Sequence, residues 1–335
     1  MNKTLIIAEA GVNHNGSLER ATEMIITAKK AGVDIVKFQT FKAQNLVTQT
    51  AEMAQYQKTN TGQNQSQYAM LKEIELSEKD FIQLKNVCDS EGVEFLSTAF
   101  DFESLEFLKN LNMKRWKIPS GELTNLPYIE WIARQNVPVI FSTGMASIEE
   151  ILEIKNVLIS NGLKEDMITV LHCTTEYPAP LNSINLKAMN TIKEKTGLQI
   201  GYSDHSMGVS IPVAAVALGA RVIEKHFTLS RTLPGPDHVA SLEPDELKQM
   251  VDLIREVEIG LGSSEKKISD IELKNRLVAR KSIVAARDIV KGQVITEYDI
   301  TTKRPGTGLS PMKWHSVIGS LAKKNYSKDD LFEDN

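Results

Sequence analysis

The stretch Ile200-Gly201-Tyr202-Ser203-Asp204-His205, followed after a helical segment (Val209 to Leu218) and a glycine by Val222-Ile223-Glu224-Lys225-His226, decides the fold. Each apolar run is too short for a helix and ends in charged or hydroxyl residues. The segment of helical periodicity between them has the length of one crossover helix. That is a strand, helix, strand unit with parallel pairing. Outward from it the same unit recurs. Leu5-Ile6-Ile7-Ala8 ends at Glu9, Ile35-Val36 at Lys37 and Gln39, Phe95-Leu96 at Ser97-Thr98, and Trp116 at Lys117, Ser120 and Glu122. Val139-Ile140-Phe141 ends at Ser142-Thr143, and Ile168 to Leu171 at His172. Helical periodicity fills the intervals at Leu18–Ala31, Lys79–Glu91, Phe102–Asn110, Pro127–Arg134, Ile148–Asn161, Leu186–Thr196, Val209–Leu218 and Pro244–Leu261. Several of these helices stop at glycine, as at Gly32, Gly92, Gly197 and Gly219, the usual C-terminal signal. Eight such units over about 260 residues predict an α/β fold of the (β/α)8 TIM-barrel class rather than an open doubly wound sheet. Reactive side chains at one end of every strand predict one shared site at the C-terminal mouth.

The interval Phe41 to Glu75 breaks the rhythm. It is rich in Gln, Asn and Thr, and it reads as a long loop over the barrel mouth, a substrate lid. After Gly262 the pattern changes again. The expected organisation is a catalytic barrel over 1–265, a linker over 266–280 in which Glu272 to Arg280 can still be helical, and a small β-rich module over 281–335. The β pieces of that module are read at Ser282–Ala285 and Gln293–Ile295.

At 335 residues, with a net charge of −4 and a pI near 6.0, the chain offers no electrostatic case for nucleic acid or an anionic membrane as partner. Its two cysteines, Cys88 and Cys173, fit neither a disulfide framework nor a zinc motif, and reduced thiols in a cytoplasmic protein are expected. The N-terminal apolar run is too short for a signal peptide, and no stretch approaches the length of a membrane span.

His205 and His226 end neighbouring strands, where two imidazoles can hold one divalent cation. Two nitrogen ligands completed by water, Glu224 or Asp237 suit labile Mn2+ or Mg2+ better than tightly held zinc; His172 is either a third ligand or structural. Lys37, Lys117 and Lys225 end strands beside Thr98, Ser120, Ser142, Thr143 and Ser203. Point charges next to short hydrogen-bond donors suit a phosphate or a phosphorylated carboxylic acid, although a Schiff-base lysine has the same spacing. Glu9 and Glu122 are candidates for acid/base work, for holding sugar hydroxyls, or for neutralising a lysine.

Ala8 to Gly16 (AEAGVNHNG), Lys37-Phe38-Gln39-Thr40, Lys117 to Glu122 (KIPSGE), Ser142-Thr143-Gly144-Met145, His172 to Pro178 (HCTTEYP), Gly201 to His205 (GYSDH) and Glu224 to Leu229 (EKHFTL) together resemble the bacterial sialic acid synthase family. The region around Lys303-Arg304-Pro305-Gly306 is similar to that family's antifreeze-like (SAF) domain. The resemblance implies a metal-dependent condensation of phosphoenolpyruvate with an N-acylated mannosamine and water, releasing phosphate. N-acetylmannosamine would give N-acetylneuraminate; the alternative, 2,4-diacetamido-2,4,6-trideoxymannose, would give a legionaminic acid. It implies Mn2+, or Mg2+ or Co2+, on His205 and His226, and phosphoenolpyruvate on Lys37, Thr98, Lys117, Ser120, Ser142 and Ser203. It further implies sugar contacts from Glu9, Gln39, Tyr177 and Asp237, catalytic roles for Glu122, Glu9 and Lys117, and Arg304 reaching in from the partner of a domain-swapped homodimer. Some members of that family carry Asn in the His-Cys-x-x segment, where this chain has Thr174-Thr175. Outside this reading, a metal or Schiff-base aldolase or lyase fits the same residue types.

Overall fold

The computed structural model describes residues 3–62 and 65–333. The chain divides into two compact units, 1–262 and 263–335.

In the first unit eight strands form one parallel sheet: β1 (Leu5–Gly11), β2 (Ile35–Thr40), β3 (Glu94–Ala99), β4 (Trp116–Ile118), β5 (Val139–Ser142), β6 (Ile168–Cys173), β7 (Gln199–Asp204) and β8 (Val222–His226). The hydrogen-bonded order runs β3-β2-β1-β8-β7-β6-β5-β4, and β3 and β4 come together to close the barrel. A helix returns the chain after each strand, and Pro244–Leu261, the last, carries four buried apolar residues against the barrel. Local chemistry sets the helix ends. Ser77 caps Glu78–Glu91 in a reciprocal box with Asp80, and Ser147 caps Ile148–Ser160 with Glu150. Gly32 and Gly92 close their helices at φ of 90° and 66°, where a side chain would be strained.

The interval after β2 is not a structureless loop. It holds three short helices, Ala43–Leu46, Gln55–Thr61 and Gln67–Ile74, with Gln63 and Asn64 outside the described residues. They enclose an apolar cluster of their own, Phe41, Ala43, Met53, Met70, Leu71 and Ile74, packed with Val12 from the loop after β1. Their polar composition hides the helical period, which is why the sequence reads as loop.

In the second unit, the segment expected as a linker contains the helix Asp270–Ala279, capped by Ser269 and Glu272. β9 (Ser282–Ala285) pairs antiparallel with β10 (Ile300–Lys303). The expected strand at Gln293–Ile295 is instead reduced to an isolated bridge between Val294 and Leu321. A separate core, including Ile283, Ile289, Ile295, Ile300, Tyr326 and Phe332, holds this unit together.

Candidate active site

Side chains alternate across a strand, so residues two apart share a face. At the C-terminal end of the barrel the inward set is Glu9 on β1, Lys37 and Gln39 on β2, Thr98 on β3, Lys117 on β4, Ser142 on β5, Cys173 on β6, Ser203 on β7, and Glu224 and His226 on β8. Ladder register brings them side by side: Glu9 is opposite both Lys37 and His226, Gln39 opposite Thr98, and Ser203 opposite Glu224. With Ser120, Glu122, Tyr177, His205 and Asp237 from the following loops they line one cavity of about 500 Å³. Every residue that the family resemblance places in the barrel site is therefore in this cavity. Arg304 is exposed in the second unit and is not among the lining residues.

Glu224 is the electrostatic hub, and the sequence did not single it out beyond a possible metal ligand. Its carboxylate lies 3.4 Å from Lys117 Nζ and 3.6 Å from Lys37 Nζ, and it accepts a 2.9 Å hydrogen bond from Ser203 Oγ. Burial alone would raise its pKa, but the facing lysines Lys117 and Lys37 outweigh that and hold it at about 2. Glu9, 2.7 Å from Lys37, is pushed the other way, because burial and the charge of Glu224 exceed the help from Lys37. For Lys37, burial is overcome by Glu224 and Glu9 and the pKa ends above its ordinary value. For Lys117, burial and the repulsion of Lys37 prevail, and the pKa is lowered. Lys117 Nζ donates to Ser142 Oγ at 2.7 Å, and Lys37 Nζ to Thr98 Oγ1 at 3.3 Å. The result is a floor of two lysines and two carboxylates with hydroxyls at its edge, whose ammonium groups and hydroxyls suit a phosphorylated carboxylate.

Ser120 Oγ accepts from the Gly144 amide at 2.9 Å, which fixes the position of the hydroxyl at this corner. Gly144 tolerates no side chain, because a Cβ there would fall 2.0 Å from Thr175 Oγ1. Glu122, half-buried, accepts a 2.6 Å hydrogen bond from Asn125, and burial raises its pKa. Burial carries Asp237 up to about 7, with Glu9 adding to the rise.

His205 and His226 face each other with ring centroids 5.4 Å apart. His205 Nδ1 is 2.6 Å from the Thr174 carbonyl, which can only accept, so Nδ1 carries the proton and Nε2 keeps its lone pair. His226 Nδ1 is buried with no hydrogen-bond partner. Burial lowers both pKa values, His205 to about 4 and His226 well below its ordinary value, which leaves two neutral imidazoles. Two neutral ring nitrogens facing one cavity are a donor pair that would fit a divalent cation. Among the described residues no group of three or more His, Cys, Asp or Glu side chains is placed to hold a metal.

Three residues weighed for this site lie elsewhere: Thr143, whose hydroxyl donates to the Leu171 carbonyl at 3.0 Å and which lines a different cavity, Lys225 and His172. Lys225 sits between Glu224 and His226 on its strand and so faces outward, paired with Asp204 at 2.6 Å with both side chains fully buried. His172 bonds the Ile184 carbonyl at 2.8 Å and lines a second cavity.

The sequence matches the NeuB family over residues 24–266 and the SAF domain over 280–334. The chain belongs to the NeuB family. It is 51% identical over 334 residues to an N,N'-diacetyllegionaminic acid synthase of Campylobacter jejuni, covering 100% of both chains. It is 49% identical to a protein of the same description from Legionella pneumophila, covering 96% of this chain and 91% of that one. Its fold is similar to the crystal structure of an N-acetylneuraminic acid synthetase from Leptospira borgpetersenii, with a TM-score of 0.72 and 34% identity over 82% of this chain and 90% of the other. NeuB membership and the eight-stranded barrel followed by a SAF domain agree with the sequence reading. Both of these relatives carry the description of the product that the sequence reading gave as its alternative, not that of its main reading. Among the described residues no helix is long and apolar enough to cross a membrane, and both cysteines are free and buried.

Proposed function

We propose that this NeuB-family chain is a legionaminic acid synthase. It would join phosphoenolpyruvate to 2,4-diacetamido-2,4,6-trideoxymannose with uptake of water and release of phosphate. The observation that carries the reading is that a chain similar from end to end to such a synthase also gathers two buried lysines, a hydroxyl rim and a neutral histidine pair in one cavity.

In this reading Lys37, Lys117, Thr98, Ser120, Ser142 and Ser203 bind the phosphate and carboxylate of phosphoenolpyruvate. Glu9, Gln39, Tyr177 and Asp237 face the open-chain sugar. A divalent cation, Mn2+ as the family resemblance implies, would be held by His205 and His226 and would supply Lewis-acid polarisation of the aldehyde oxygen. C3 of phosphoenolpyruvate attacks the aldehyde carbon, forming the new C–C bond and leaving positive charge at C2. Asp237, with its carboxyl near neutrality, can hold the proton that the aldehyde oxygen takes up. Water then adds to C2 and gives its proton to Glu122, whose raised pKa suits a group that must take and return a proton. The tetrahedral carbon expels phosphate through its C–O bond, and the C2 hydroxyl proton leaves with it. Ionised Glu224, 3.6 and 3.4 Å from Lys37 and Lys117, favours their charged forms and spaces them for the anion.

Arg304 of a partner subunit would complete the N-acyl site, so Arg304→Ala should raise the sugar KM and leave the phosphoenolpyruvate KM unchanged. The whole reading is tested by phosphate release from phosphoenolpyruvate against a panel of sugars. The trideoxy diacetamido sugar should give the highest kcat/KM. N-acetylmannosamine in first place would return the reading to N-acetylneuraminate, and a borohydride-trapped lysine adduct would favour a Schiff-base aldolase.

A further inference from the structure

The cavity is charged on one side and apolar on the other. Its floor carries Lys37, Lys117 and Glu224, while the segment after β2 contributes Leu46, Val47, Met70 and Leu71 together with Tyr56. No charged side chain of that segment is among the lining residues. Its three lysines are turned to partners within the segment: Lys58 to Glu52 at 2.9 Å, and Lys72 and Lys42 to Glu75 at 3.2 and 3.9 Å. Gln57, one of its polar lining residues, spends its carbonyl oxygen on the Ala54 amide at 2.9 Å. Tyr56 stacks on Tyr177 with centroids 5.0 Å apart, and Tyr177 packs in turn on His205 at 4.1 Å. Asn60 ties the same short helix to the Pro236 carbonyl at 2.7 Å, next to Asp237. The wall is therefore fixed to the residues that would flank the reacting aldehyde, and it has its own apolar cluster behind it.

Resting on the reading above, we infer that this wall is the selectivity element for the sugar's far carbons, and that Leu46, Val47 and Met70 determine it. The aldehyde carbon must reach the charged floor where the phosphoenolpyruvate lysines lie, which leaves C4 to C6 facing the wall. A C6 methyl and an acetamido methyl gain there by burial. A C6 hydroxyl or phosphate placed against Leu46, Val47 and Met70 loses water and meets no charged partner, and an apolar surface discriminates against such a group to the extent that the lost hydrogen bonds are not replaced. The substrate class is thus a 6-deoxy, N-acylated hexose rather than a 6-hydroxy or 6-phospho one.

The test compares kcat/KM for the trideoxy diacetamido sugar and for N-acetylmannosamine at saturating phosphoenolpyruvate. The proteins are the wild type, the Leu46→Ser/Val47→Ser variant and Met70→Gln. Leu46 and Val47 are only half-buried, and Met70→Gln nearly conserves shape, so at least one variant should fold. The wild type should prefer the trideoxy sugar, and the ratio should fall at least about tenfold in each folded variant, with the phosphoenolpyruvate KM unchanged. A ratio that stays put, or equal losses on both sugars, overturns the inference alone. Absence of phosphate release by the wild type with either sugar overturns the underlying reading and the inference with it.

Discussion

Asp204 and Lys225 are ladder partners on β7 and β8, and their side chains form a 2.6 Å ion pair with no exposure to solvent. The pair lies on the outer face of the barrel, yet each member is flanked along its strand by residues of the cavity: Ser203 and His205 on one side, Glu224 and His226 on the other. Lys225 also donates to the Ser206 carbonyl, while Asp204 accepts from the Ser206 amide at 3.0 Å, so the turn directly after His205 is pinned.

Removing one partner of such a pair leaves a buried charge unbalanced. Lys225→Met should therefore cost about 3–5 kcal/mol of stability, whereas Asp204→Leu/Lys225→Met should recover most of it. Denaturant unfolding of the three proteins checks this. Equal loss in the single and double variants would show that packing, not charge, dominates at this position.

Glu122→Gln should lower kcat by about 10²–10⁴ while changing the phosphoenolpyruvate KM little. In the proposed mechanism Glu122 is the base for water and works only when deprotonated, so the wild-type rate should rise with pH through its pKa. Burial sets that pKa above the ordinary 4.5. The acidic limb of the kcat profile should lie correspondingly higher than an ordinary glutamate would place it and should disappear in the variant.

His205→Ala and His226→Ala should each abolish Mn2+ binding seen by electron paramagnetic resonance of the full-length protein, and chelation should stop phosphate release by the wild type. Because the two imidazoles are the ligands proposed, either loss should suffice. Undiminished Mn2+ binding in both variants would place the cation elsewhere.

In the second unit, Asp299 is fully buried and accepts from Thr296 Oγ1 at 2.6 Å, the Thr296 amide at 2.7 Å and Arg287 at 2.7 Å. These bonds, the Thr296 hydroxyl first, hold its pKa at about 2. A depressed carboxylate contributes stability above its unfolded pKa of 3.8 and loses it as pH falls through about 2. Hydrogen exchange of peptides from 282–333 should accelerate over that window. Asp299→Asn should weaken protection by about 1–3 kcal/mol at neutral pH and flatten the acid dependence.

Strand ends were legible because apolar runs stop where the chain meets the mouth of the barrel, and period-two alternation assigns faces once the strands are known. That alternation separates inward Glu224 and His226 from outward Lys225, although spacing alone had grouped Lys225 with Lys37 and Lys117. The central place of Glu224 was harder to see, since it depends on the register that sets it opposite Ser203 and on lysines from two distant strands. The helices between Phe41 and Glu75 escaped notice because Gln, Asn and Thr carry little hydrophobic period, and their apolar cluster is assembled only with Val12. In the second unit the strand at Ile300–Lys303 is no more apolar than the expected one at Gln293–Ile295; pairing with Ser282–Ala285 is what distinguishes it.

The most direct test of the condensation runs the enzyme in ¹⁸O-labelled water with phosphoenolpyruvate and the trideoxy diacetamido sugar, and reads the released phosphate by ³¹P NMR. Water addition at C2 with C–O cleavage predicts phosphate that appears only when both substrates are present and carries no label. Labelled phosphate, or phosphate released from phosphoenolpyruvate without the sugar, would contradict the account.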